Sequence, residues 1–136
     1  MSFSDFLEKK ILDHINQVAV YTATAKYMAL YTSNPGEDNS GTEVSDTVDD
    51  LAYARQPISF AATTLGSGTS LSSNVQTFAP VDYGSGGAAY TVTHIGIFNA
   101  LTGGDLLEYT PLGASISRLT GKTLVFDAGA VSVTLD

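Results

Sequence analysis

Cysteine is missing from the sequence, which removes disulfide staples, thiolate catalysis and every zinc site built on sulfur. Basic residues are few. Only Lys9, Lys10, Lys26, Arg55, Arg118 and Lys122 stand against 14 acids, and a formal charge of −8 excludes a nucleic-acid surface or an anionic membrane as partner, since both need clustered Lys and Arg. No apolar run approaches the ~18 residues that a membrane span requires. The opening residues carry Asp5 and Glu8 and lack a basic-then-apolar signal pattern, so a chain made and folded in the cytosol is expected. Histidine is limited to His14 and His94, which confines general-base chemistry near neutrality to two positions. There is no GxSxG elbow, no HExxH and no GxGxxG. The glycines of Asp82 to Ala89 lack the Lys-Ser/Thr end of a phosphate-binding loop. No catalytic, cofactor or metal site is assigned, and no enzyme is expected.

What is present points to β-structure. At 136 residues the chain fits one domain, which buries roughly two thirds of its unfolded surface. Hydrophobic residues make up 43 %, charged residues only 15 %, and glycines number 13, an ordinary folded composition tilted towards strands and turns. The stretch Thr91 to Tyr109 reads as the hub, a hairpin whose turn is Leu101-Thr102-Gly103-Gly104. Period 2 in its first arm puts Val92, His94, Gly96 and Phe98 on one face and Thr93, Ile95 and Ile97 on the other. Both faces are apolar, so the arm is expected to be central, with His94 a hydrogen-bonded structural residue.

Other strands are expected at Ala25–Thr32, at Tyr53–Phe60 with Pro57 marking an edge, and at Val75–Ala79. Thr63 to Asn74 reads as a Ser/Thr/Gly tract without an element. After a bend at Pro111-Leu112-Gly113, Ser115–Leu119 reads as an edge strand. Thr123–Phe126 and Ala130–Leu135 read as a closing hairpin around Asp127-Ala128-Gly129. This pattern predicts a mainly β chain, an antiparallel β-sandwich of jelly-roll-like type with one N-terminal amphipathic helix. Residues 1–20 form the helix and its connection, and 21–136 the sandwich, within a single domain overall.

The helix is predicted from Ser4 to Ile15, capped by Ser4 or Asp5, with Phe3, Phe6, Leu7, Ile11, Ile15 and Val18 on an i, i+3, i+4 stripe. Internal packing is expected for Leu7 and Ile15, whereas Phe3, Phe6, Ile11 and His14 are candidate partner contacts. The acidic stretch Glu37 to Asp50 lacks calcium-loop spacing and is expected to be a solvated loop.

Taken in order, the opening Met1 to His14, Tyr27-Met28-Ala29-Leu30-Tyr31-Thr32-Ser33-Asn34-Pro35, Ser40 to Val44, Ala52 to Gln56, Val92 to Phe98 with Leu101 to Gly104, and Ala130 to Asp136 resemble a family of small tailed-bacteriophage structural proteins usually labelled tail fibre or minor tail protein. Asp46 to Leu51 and Tyr83 to Tyr90 depart from that pattern. The resemblance implies a non-enzymatic virion protein, assembled in the host cytoplasm and working through contacts with other virion proteins of tail or capsid. Alternatives are a capsid decoration (cement) protein on the head and a host-surface carbohydrate-binding module, with tyrosines such as Tyr53, Tyr83, Tyr90 or Tyr109 as stacking platforms for a glycan. The chain has no heptad, collagen-like or β-helical repeat, so a compact homo-oligomer is expected rather than a fibre shaft, with a trimer favoured over a dimer.

Overall fold

The backbone of the hub fixes the architecture of the computed structural model, which describes residues 1–85 and 88–135. In chain order the elements are β1 (Ser2–Phe3), α1 (Asp5–Ile15), β2 (Lys26–Tyr31), β3 (Gln56–Ile58), β4 (Thr69–Leu71), β5 (Gln76–Phe78), β6 (Tyr90–Phe98), β7 (Leu106–Arg118), β8 (Leu124–Phe126) and β9 (Ser132–Thr134). The chain is mainly β with one short helix near its start, as the sequence pattern predicts. Five strands form an antiparallel sheet in the order β1-β7-β6-β2-β3. Pro57 sits in β3, the edge strand next to β2, where its missing N–H costs no ladder bond.

One face of this sheet presents Met28, Leu30, Val92, Ile95 and Ile97, which pack with Phe78, Val81 and Val131 of a second layer. That layer consists of two short ribbons, β4 with β9 and β5 with β8. Fully burying each large aliphatic side chain here is worth about 1.5 to 3 kcal/mol. The opposite face carries a smaller cluster of Ala29, Tyr31, Phe98 and Leu106. Tyr31 and Phe98 stack with centroids 6.4 Å apart. Gly96 makes this cluster possible: a Cβ there would lie 2.8 Å from Leu106 Cδ1 and 2.9 Å from Tyr31 Cε2.

Four sequence expectations need correction. Val92 shares its face with Ile95 and Ile97, not with Gly96 and Phe98, because the register of β6 shifts between Val92 and His94. Val92 pairs with Ile116 and His94 with Pro111, so the segment Leu112–Ser115 stands opposite Thr93 alone. This bulge absorbs the Pro111–Gly113 bend inside one continuous strand. The closing hairpin does not form either, since β8 pairs with β5 and β9 with β4. Residues 69–78 run antiparallel to 124–134 as one broken ribbon whose register changes by one residue across the break. Gly129, at φ 83°, donates its N–H to the Ser72 carbonyl (2.7 Å) and makes the bend there. Finally, β4 lies in the tract read as structureless, and β1 adds a short strand before the helix.

The glycine-rich loop Asp82–Ala89 includes Gly86 and Gly87, and the terminal stretch includes Asp136; these three lie outside the described residues.

Candidate assembly surface

Helix α1 is tied to the sheet at its start and departs from it towards its end. Ser4 is the N-cap: its Oγ accepts from Leu7 N (3.3 Å) and donates to the Leu106 carbonyl, while its own N–H donates to Leu107 O (2.9 Å). Leu7 is buried as expected. Asp5 and Glu8 occupy the first turn, where their charge is favourable to the helix dipole, and His14 lies in the last. The helix ends where Gln17 takes a left-handed conformation, φ 58°.

Burial fades along the helix. Phe3, Phe6 and Ile11 are half-buried and His14 is exposed. Phe6 lies beneath the Lys10 ammonium at 5.4 Å, and His14 Nδ1 accepts a bond from Tyr21 N (3.2 Å), which fastens the connection after the helix. Ile15, expected to pack internally, is 67 % exposed, and with Leu12, Val18 and Val20, the last of them 83 % exposed, it leaves four uncovered apolar side chains within nine residues. Leu12 and Val20 were not among the expected contacts. The apolar positions on this helix span more than one body can cover, and that width was the available signal.

The acidic loop is not simply solvated. Glu43 takes a two-pronged ion pair from Arg55 (Nε to Oε1 2.8 Å, Nη2 to Oε2 2.7 Å), and Oε1 also accepts from the Tyr53 hydroxyl (2.9 Å). Arg55 lies 3.5 Å from the Phe98 ring centroid and donates Nη1 to the carbonyls of Ala100 (2.9 Å) and Gly103 (2.6 Å), so it holds the hub turn. A cleft of about 330 Å³ adjoins this pair, but its Arg55 and Glu43 satisfy each other. Asp50 is buried. It accepts from the Tyr90 hydroxyl (2.8 Å) and from the amides of Ala52 (3.1 Å) and Asp82 (2.9 Å), with Arg118 Nη2 at 3.9 Å. Burial pushes the Tyr90 hydroxyl up to about 12.

Tyr90 therefore offers no stacking face, and Tyr53 and Tyr83 spend their hydroxyls on Glu43 and the Arg118 carbonyl. Tyr109 packs beside the smaller cluster. His94 is half-buried, its Nδ1 2.9 Å from the Thr93 hydroxyl. Among the described residues, no group of three or more His, Asp or Glu is placed to hold a metal, and no helix is long and apolar enough to cross a membrane.

Glu108 on β7, which is also buried, differs from Asp50. Burial holds its carboxyl above the usual carboxylate range, against the opposing pull of Lys26 and the N-terminal ammonium. A raised folded value means that stability is full below the unfolded value of 4.5 and is lost as pH rises through the folded one. Glu108→Gln should therefore melt higher than the natural chain at neutral pH, and the gap should close below pH 4.5; thermal midpoints across that range check the sign.

A family model described as podophage GP4 fiber I protein gp80 matches residues 2–134. The chain belongs to this family. No curated protein matches it. Membership carries a phage structural role, a place in the virion and association with other virion components. The match spans the sheet, both ribbons and α1 together.

Proposed function

We propose that this fibre-family chain is a non-catalytic module of tail fibre or minor tail type, working as a homo-oligomer, with a trimer favoured, through the outer half of α1 and the connection after it. The observation that carries this reading is the exposure of Leu12 and Ile15 on the outer half of α1, and of Val18 and Val20 in the connection after it, while the start of the helix is fastened to the hub. Covering these side chains removes apolar area from water, and repetition around a symmetry axis turns weak contacts into avidity. Of the expected contacts, Ile11 and His14 lie in the outer half of α1, whereas Phe3 and Phe6 lie at the fastened end.

Removing residues 1 to 17 would delete β1 and the Ser4 cap as well, so substitutions test the reading more cleanly. Leu12→Asp with Ile15→Asp should leave folding within about 0.5 kcal/mol per site, because both side chains are exposed. Sedimentation should show an assembly of 14.2-kDa chains reduced to single chains. A variant that assembles like the natural chain would move the contacts to the strand edges.

A further inference from the structure

The two layers do not close at one end. Between the sheet and the β4–β9 ribbon lies a cleft of about 400 Å³, within the size range of small-molecule sites. Its walls include Lys26, Ser59, Phe60, Ser70 and Glu108. Glu108 is only 8 % exposed, and its Oε2 has no hydrogen-bond partner among the described residues. Buried polar atoms are nearly always paired, and a bare acceptor costs about 1 to 3 kcal/mol, so this oxygen calls for a donor from outside the chain.

We infer that this cleft binds one ring of a neutral polyhydroxylated ligand, a pyranose-sized sugar unit, with Glu108 accepting from its hydroxyls. The charges decide against a metal ion, because the Lys26 and N-terminal ammonium groups already act on Glu108 and would repel a cation. A sugar hydroxyl can both donate and accept, which suits a lining that mixes a carboxylate, an ammonium and serine hydroxyls. Ser70 Oγ donates to the Ala61 carbonyl (2.6 Å), so its lone pairs are left to accept. Phe60 adds an apolar wall for the C–H face of a ring. The tyrosines expected to stack on a glycan are not in this cleft's lining, so the site is a different one.

The inference goes beyond the assembly reading and is tested separately from it. Amide signals of the full isotope-labelled chain are followed while glucose, galactose, N-acetylglucosamine and rhamnose are added singly, and then as short oligosaccharides. At least one should shift Ser59, Ser70 and Glu108 saturably, with an affinity of about millimolar as befits a small neutral ligand. Glu108→Gln should weaken this about tenfold, since a charge-assisted bond becomes a neutral one. Ser59→Tyr, which narrows the mouth, should abolish it. A longer chain binding more tightly would identify a polysaccharide running through the cleft, and equal affinity a terminal unit; both support the site. No shift with any sugar, shifts unchanged by Glu108→Gln, or shifts at these amides with calcium chloride alone would overturn it. None of these outcomes bears on the oligomeric state.

Discussion

Replacing Arg55 by alanine is expected to cost about 3 kcal/mol, the low end of the loss from breaking a buried ion pair from one side, because Glu43 keeps part of its surface in water. The guanidinium is buried and does three jobs at once. It forks onto Glu43, it lies over Phe98, and it binds two carbonyls of the hub turn. Removing it leaves the Glu43 carboxylate without its counter-charge and the turn without its clamp. Arg55→Lys should recover less than half of the loss, because an ammonium cannot fork onto a carboxylate and reach two carbonyls together. Glu43→Gln should cost less than Arg55→Ala, about 1 to 2 kcal/mol, since the amide still accepts one bond at a partly exposed site. Denaturant titration gives the energies, and faster hydrogen exchange at Leu101 to Asp105 would report the loosened turn. An alanine variant within about 1 kcal/mol of the natural chain would mean that solvent replaces these bonds freely.

Arg55 also marks what the sequence disclosed and what it hid. The hub, the edge role of Pro57 and the capped helix were legible, because each follows from local chemistry: period 2, a missing N–H, and a serine before an apolar stripe. Partners were not. A three-residue strand such as Leu124–Phe126 carries too few side chains to specify its neighbour, so Asp127-Ala128-Gly129 looked like a hairpin turn when it is the kink of a longer ribbon. The bulge opposite Thr93 was hidden for a similar reason, since the extra residues lie on the other strand. The acidic loop misled by composition. Of its six acids, Glu43 and Asp50 are drawn inward by arginines 12 and 68 positions further on, a separation that no local pattern reports. The exposed end of the helix was half legible: Ile15 and Val18 lay on the stripe, but only their burial in the folded chain shows that they face outward.

The second inward acid gives the other large effect. Asp50→Ala is expected to cost about 3 to 5 kcal/mol, because Arg118 is left buried without its counter-charge. The Tyr90 hydroxyl and the amides of Ala52 and Asp82 lose their acceptor in the same step. Arg118→Met should cost less. Asp50 would keep those three donors, which stabilise its charge, while the carbonyls of Ala79 and Lys122 lose theirs. With both residues replaced, neither charge remains buried alone, so the double variant should fall short of the summed single losses by about 1 to 3 kcal/mol. Urea unfolding of the four chains measures this coupling. Losses that add to within about 0.5 kcal/mol would show that the 3.9 Å approach carries no interaction and that Asp50 acts only as an acceptor for its three donors. A clear coupling would show instead that the loop from Glu43 to Asp50 is fastened to the fold by charge at both ends, through Arg55 at the hub turn and Arg118 at the last residue of β7.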